Sequence, residues 1–343
     1  MAHPYRLREI AQQSGLSLAT VDRVVNHRPG VRPSTVKEVQ QAIAELDRQA
    51  GQVRIAGRTF IVDLVMQTPE RFSSAVRAAL EAELPHLRPA VVRSRFHLQE
   101  ASSVADVVRT LARIARRGSH GVILKAPDAP EVVAAVDDLV ERGIPVVTLV
   151  TDLPGSRRVA YVGIDNHAAG ATAAYLVTQW GARGSVLMTL SSADFRGEGD
   201  RGDGFRRTMA ALAPGRVVRE VAGTDGLDAT MLRAVTRALV ADPSIDAVYS
   251  IGGGNVATLD AFAHAGRECR VLVAHDLDDD NAVLLRQHRL SAVLHHDLRD
   301  DMRRACRAVM QAHGALPGPI RSVPSPVHVV TPYNAPAAFH PHR

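Results

Sequence analysis

The sequence predicts an α/β protein in which a three-helix head precedes two doubly wound parallel-sheet lobes. Three observations carry that expectation. The chain has 343 residues, 46% of them hydrophobic, which is too long for one ordinary domain and enough for a sizeable core. Up to residue 48 the apolar positions recur at three-to-four spacing, the mark of helices with one buried stripe. From Thr59 onward, short apolar runs alternate with amphipathic stretches, the rhythm of strand and helix that winds a parallel sheet.

In the head, Leu7, Ile10 and Ala11, then Leu16, Val21, Val24 and Val25, then Val36, Val39, Ile43 and Leu46 form three successive apolar stripes. Ser14-Gly15-Leu16-Ser17 joins the first two helices. Gly15 suits a left-handed turn residue and Ser17 an N-cap, which together are helix-turn-helix punctuation. Pro33 fits the first turn of the third helix, where a missing N–H costs nothing. Charge is uneven as well. Arg6, Arg8, Arg23, Arg28, Arg32, Lys37, Arg48, Arg54 and Arg58 outnumber Glu9, Asp22, Glu38, Glu45 and Asp47, so most of the net +5 sits before Thr59. Such a segment suits contact with phosphates, or is simply a solvated basic helix surface.

In the body, strands are expected at 60–65, 90–96, 121–124 and 145–149, with helices near 73–84, 104–116 and 132–142, completing one parallel-sheet unit. A second unit begins near Ala168, with strands at 185–190, 217–221, 247–250, 271–274 and 291–294. Ligands of open α/β sheets bind beyond the carboxyl ends of strands. The candidates there are Gln67, Phe72, Thr151, Asp152, Arg157, Arg158, Phe195, Arg196, Arg201, Asn255, Asp276 and His295. Carboxylates, amides and arginines suit hydroxyl groups, and Phe72 and Phe195 offer flat apolar faces. Asp276 ends an apolar strand, where an acid needs a reason; it is either a ligand group or a helix cap.

The head string Leu7-Arg8-Glu9-Ile10-Ala11 through Gly15-Leu16-Ser17-Leu18-Ala19-Thr20-Val21-Asp22-Arg23-Val24-Val25-Asn26 resembles the DNA-binding head of the lactose-repressor (LacI) family. The resemblance implies that Leu18 and Ala19 open a recognition helix in the major groove and that Arg23 reaches guanine, while Ser17, Thr20 and Asn26 position the backbone. Two residues depart from the family pattern. Arg6 replaces the usual Thr or Ser cap, and Asp22 replaces a small Ser, which makes Asp22 a candidate for operator specificity through cytosine. Relatives continue into a hinge helix that wedges into the minor groove. Here residues 49–58 lack its proline, and they read either as a wedge carrying Arg54 and Ile55 or as a flexible basic linker.

Ile144-Pro145-Val146-Val147-Thr148-Leu149, Tyr161-Val162-Gly163-Ile164-Asp165-Asn166 and Val273-Ala274-His275-Asp276 extend the resemblance over residues 59–332. They are similar to the family's effector domain of the periplasmic-binding-protein-like type I fold. The resemblance implies a regulator, by default a repressor of carbohydrate uptake or catabolism, that binds double-stranded operator DNA as a homodimer. It also implies a small sugar, polyol or sugar phosphate as effector. A solute-binding protein or sugar-modifying enzyme with a fused head is the alternative. The position that aligns with the family's usual ligand arginine is Gly199, so Arg196 is expected to substitute and Arg201 to anchor the helix.

Other chemistries find little support. Gly197, Gly199 and Gly202 spell G-x-G-x-x-G, but too far beyond the strand for a dinucleotide. Gly252-Gly253-Gly254 lets a backbone approach ligand closely but lacks the Lys-Ser or Lys-Thr of a phosphate loop. Asp276, Asp278 and Asp280 imitate a calcium loop without its glycine or its glutamate. His295 and His296, adjacent on a strand, point to opposite faces. Cys269 and Cys306 lack zinc spacing, so neither metal nor cofactor is expected. No nucleophile elbow appears, so no catalysis is expected either. Nothing resembles a secretory leader or a membrane span, and the expected location is the cytoplasm. Residues 333–343 read as a loose tail.

Overall fold

Three helices build the head around Ile10, Val21 and Val39, which are fully buried beneath Leu7, Leu16, Val24, Val25, Ile43 and Leu46. The structure, a computed structural model, describes residues 4–55, 57–100, 102–192 and 194–336. Helix α1 is Leu7–Ser14, α2 is Leu18–Val25 and α3 is Pro33–Ile55. Gly15, at φ 69°, ends α1 in the left-handed region, and the Ser17 hydroxyl accepts the Thr20 N–H to start α2. Two side-chain bonds tie α1 and the residues before it to α3: Tyr5 to Asp47 at 2.6 Å and Gln13 to Glu45 at 2.7 Å.

The third helix is 23 residues long and takes in most of the segment read from sequence as a hinge or linker, 49–58. No proline interrupts residues 47–55, and Gly51 alone costs only about 1 kcal/mol in a helix. The backbone of Arg54 and Ile55 is therefore helical. Their side chains, and Ala56, lie outside the described residues.

The first lobe contains β1 (Thr59–Gln67), α4 (Glu70–Glu83), β2 (Val91–Gln99), α5 (Val104–Arg117), β3 (Gly121–Lys125), α6 (Pro130–Glu141), β4 (Val146–Leu149) and β5 (Ala160–Val162). Its strands pair in parallel in the order β2-β1-β3-β4-β5. The second lobe contains α7 (Asn166–Gln179), β6 (Val186–Thr189), α8 (Arg196–Leu212), β7 (Val218–Val221), α9 (Asp228–Ala241), β8 (Ala247–Ser250), α10 (Asn255–His264), β9 (Val271–His275), α11 (Asp279–Arg286) and β10 (Ala292–His295). After α12 (Leu298–Ala312), β11 (His328–Val330) closes this sheet in the order β11-β10-β9-β8-β6-β7. Among the described strands only β11 runs antiparallel. β5 and β11 have three residues each, too few for a periodic signal, and neither was expected as a strand.

The doubly wound expectation holds, with one redistribution. Helix α12 follows a strand of the second lobe but packs in the first, where Met302, Ala305, Cys306 and Val309 join the apolar side of α4 and β4. The chain thus passes between lobes after β5, after β10 and after α12. A buried network joins these three crossings. Asp301 accepts from His296 Nδ1 at 2.5 Å and from the Ser325 hydroxyl at 2.5 Å. Ser325 also receives Arg304 at 2.7 Å and donates its N–H to Gly163 at 2.8 Å. Among the described residues no helix is long and apolar enough to cross a membrane.

His296 and Asp301 are 1% and 0% exposed, so removing one leaves the other buried without its partner, at about 3–5 kcal/mol. Burial by itself would raise the Asp301 carboxyl, but hydrogen bonds from His296 and Ser325 outweigh it and hold it below the ordinary 3.8. Its contribution is therefore complete above that value and is lost as pH falls through the folded-state pKa. Asp301→Ala is expected to lower stability in urea by about 3–5 kcal/mol at pH 7 and to flatten the acid limb. An unchanged acid limb would remove Asp301 from the account of the hinge.

Candidate binding cleft and recognition helix

Both sheets direct the carboxyl ends of their strands toward one cavity of about 330 Å³, within the range of small-molecule sites. Gln67 ends β1 and Thr68 follows it, Lys125 ends β3, and Val150 and Thr151 follow β4 in the first lobe. Ser191, Ile251 and His275-Asp276 stand at the ends of β6, β8 and β9 in the second.

Six sequence-predicted residues line this cleft: Gln67, Phe72, Thr151, Phe195, Arg201 and Asp276. Six do not. Asp152 is turned away because the chain bends sharply after β4, with Val150 at φ 65° and the Thr151 N–H bonded back to Leu149. Thr151 therefore faces the cleft, where its hydroxyl accepts the Gly197 N–H at 3.0 Å. Asp152 instead pairs with both Arg158 Nε (2.5 Å) and Nη2 (2.6 Å) and accepts from Thr148. Arg157 is likewise engaged, by Glu141 at 2.7 Å. Arg196 is half exposed, 3.7 Å from Asp128 and from Asp200. Asn255 is buried behind the lining, donating to Asn281 at 2.7 Å. His295 accepts the Leu277 N–H at 3.3 Å and does not line the cavity.

The arginine assignment is corrected by helix packing. Gly170 of α7 and Gly204 of α8 leave no room for a β-carbon, which would fall 1.9 Å from the Arg201 carbonyl and 2.1 Å from that of His167. This close approach brings Arg201 Nε to Asn166 Oδ1 at 2.8 Å, and Arg201 is 3% exposed. The arginine that α8 brings to the cleft is therefore Arg201, not Arg196 five residues earlier.

Several cleft residues were not anticipated: Arg71, Glu100, Ser102, Lys125, Glu198, His275, Asp278 and Asn281. Lys125 ends the apolar strand Gly121-Val122-Ile123-Leu124, the same signal that singled out Asp276, and could have been found by it. Its Nζ donates to the Gln67 carbonyl at 3.0 Å and lies 4.0 Å above the Phe195 ring centre. Burial lowers its pKa from 10.5 to about 8. Gln67 Oε1, Ser102 Oγ, Arg201 Nη2 and His275 Nδ1 are buried without a hydrogen-bond partner. An orphaned buried polar atom costs about 1–3 kcal/mol, so four of them around one cavity point to a ligand that supplies donors and acceptors together.

In the head, α2 turns Val21 inward and leaves Leu18, Ala19, Arg23 and Asn26 exposed. Leu18 is 53% exposed, an apolar residue that the head's own core does not explain. The Ser17 and Thr20 hydroxyls bond one another at 2.8 Å. Asp22 accepts from Asn26 at 2.7 Å and sits 3.1 Å from Arg28, so its negative charge is offset on this surface, and Asn26 is engaged with it. Arg6 caps α1 through its backbone N–H, which Glu9 accepts at 2.7 Å.

The lysine makes the cleft costly when empty. Between about pH 8 and 10.5 the unfolded chain binds the proton that folded Lys125 has released, so stability rises with pH across that window. Lys125→Met, which keeps the length and removes the buried charge, is expected to remove this slope and to raise the melting temperature at pH 7. A melting temperature that falls, with the slope retained, would contradict the placement of Lys125.

Comparison with known proteins agrees with this architecture. Residues 63–315 match the family described as periplasmic binding protein domain, and residues 6–48 match bacterial regulatory proteins of the lacI family. The HTH-type transcriptional regulator AglR of Rhizobium meliloti (strain 1021) is 28% identical over 186 residues, covering 52% of this chain and 50% of AglR; the chain thus spans about half the length of that curated relative. Among solved structures, GanP, a glucose-galactose binding protein from Geobacillus stearothermophilus, superposes with a TM-score of 0.72 at 19% identity, over 81% of this chain and 99% of GanP. The transcriptional regulator CelR in complex with cellobiose has a TM-score of 0.65 at 22% identity, over 95% of this chain and 98% of CelR. At these identities the two structures show the shared fold. The chain belongs to the periplasmic binding protein domain family and carries at its N-terminal end a head of the lacI family of bacterial regulatory proteins.

Proposed function

We propose that this protein is a cytoplasmic transcription regulator, a repressor whose hold on operator DNA is set by a small carbohydrate or polyol bound between its lobes. The observation that carries the reading is a cleft with unpartnered buried donors and acceptors in the same chain as a head whose recognition helix exposes Leu18, Ala19 and Arg23. A free solute-binding protein has no use for that helix. The structural neighbours, one a glucose-galactose binding protein and one in complex with cellobiose, support the ligand class. Two heads of a homodimer would occupy the half-sites of a pseudo-palindromic operator. The cleft is assigned to binding, with no bond made or broken.

Charge favours a neutral ligand over a phosphorylated one. Glu100, Glu198, Asp225, Asp276 and Asp278 line the cleft against Arg71, Lys125 and Arg201. The arginine pair that would favour a phosphate, Arg157 and Arg158, is already matched by Glu141 and Asp152.

Thermal melting against a panel of neutral sugars, polyols and sugar phosphates tests the effector. A true ligand at 100 times its Kd adds about 2.7 kcal/mol, and a neutral sugar is expected to give the shift. If none does while the protein still binds selected duplex DNA, the carbohydrate reading falls and the regulator reading stands. On the DNA side, Arg23→Ala is expected to cost about 1–3 kcal/mol on the preferred site and to relax selectivity at one base pair. An equal loss on every sequence would assign Arg23 to phosphate.

A further inference from the structure

Arg71 crosses the cleft. It belongs to the first turn of α4 in the first lobe, yet its Nη2 donates to the Gly226 carbonyl of the second lobe at 3.0 Å. Its Nε lies 3.3 Å from Asp278 Oδ2, and Asp278 is 7% exposed. The third side of this seat is the glycine run. A β-carbon on Gly253 would fall 2.0 Å from Arg71 Nη2, so the guanidinium occupies the space that any other residue's side chain would fill. Gly253 also has φ +89°, which a side chain would strain. The triple glycine after β8 therefore has an occupant, and it is a side chain of the opposite lobe.

We propose that Arg71 is the latch of the cleft: docked on Gly226, Gly253 and Asp278, it holds the two lobes closed and sets the lifetime of the closed state. A planar guanidinium meeting a mostly buried carboxylate and a carbonyl makes directional, charge-assisted bonds, unlike an exposed ion pair. Beyond the hinge, other bonds also cross between lobes, among them Asp128 N–H to the Asp194 carbonyl, Gly197 N–H to the Thr151 hydroxyl and Asn166 Nδ2 to the Val150 carbonyl. Arg71 differs from them in being a long charged side chain of one lobe that fills the space over a glycine of the other. Opening the cleft must pull the guanidinium out, and closing must return it. The consequence for DNA binding rests on the effector reading above, whereas the latch itself is a property of the lobes.

The experiment therefore uses no effector. In the full chain, spin labels at Ala82→Cys on α4 and Thr236→Cys on α9, both exposed positions, report the distance between lobes by pulsed electron resonance. Burial pushes the thiols of Cys269 and Cys306 up to about 12, so labelling favours the introduced sites. The expected result is a short, narrow distribution for the parent chain and a shift to longer distances for Arg71→Ala, with Arg71→Lys in between. Gly253→Ala, which places a methyl in the seat, shifts the parent the same way but adds nothing in the Arg71→Ala background. Circular dichroism melts establish that each variant is folded. An unchanged distribution for Arg71→Ala, or a Gly253→Ala shift of full size without Arg71, overturns the latch. Failure of every sugar to bind would leave these distances, and the latch, untouched.

Discussion

The buried carboxylate of Asp301 is the constraint on which the two-lobe geometry depends. The chain passes between lobes three times, and Asp301 holds a residue from each crossing or its immediate partner: His296 after β10, Ser325 after α12 and, through Ser325, Gly163 after β5. Both oxygens of the carboxylate are committed, at a point with no access to water. A pair of lobes joined this way can rotate about the crossings but cannot slide, because sliding would strand a buried charge.

That hinge is connected in both directions. Toward the cleft, His296 Nε2 stands 3.8 Å from Asp276 Oδ1, so a group that engages Asp276 acts within reach of the Asp301 network. Away from it runs α12, whose 15 residues span about 22 Å. At its far end His313 Nε2 meets the His120 carbonyl at 2.6 Å, and His120 Nδ1 accepts the Ile61 N–H at 3.0 Å. Arg58, where the chain enters the body from the head, lies 5.3 Å over the Phe60 ring packed against both imidazoles. One helix therefore stands between the hinge of the cleft and the residues at which the head is attached.

The cleft is polar where a core would be apolar, and it is correspondingly expensive. Lys125 is desolvated, Arg201 and His275 keep orphaned nitrogens, and burial raises Asp278 to about 6. Groups held this way contribute to binding what they subtract from stability.

What the sequence determined by itself was local. Helix spacing, the Gly15 turn and the Ser17 cap were enough to place the head. The alternation of apolar strands and amphipathic helices was enough for two parallel sheets with ligand residues beyond their strand ends. Six of the twelve candidate residues expected there line the cleft, because a residue just past a buried strand has few other places to go. Tertiary structure decided what local pattern cannot encode. A sharp bend at Val150 chose Thr151 over Asp152 for the cleft. Two glycines at the α7–α8 contact chose Arg201 over Arg196. Arg71 found its partners 155 and more residues away in the other lobe. Periodicity and turn chemistry act over a few bonds, whereas the facing of a loop side chain and the partner of a charge depend on which distant backbone packs beside it.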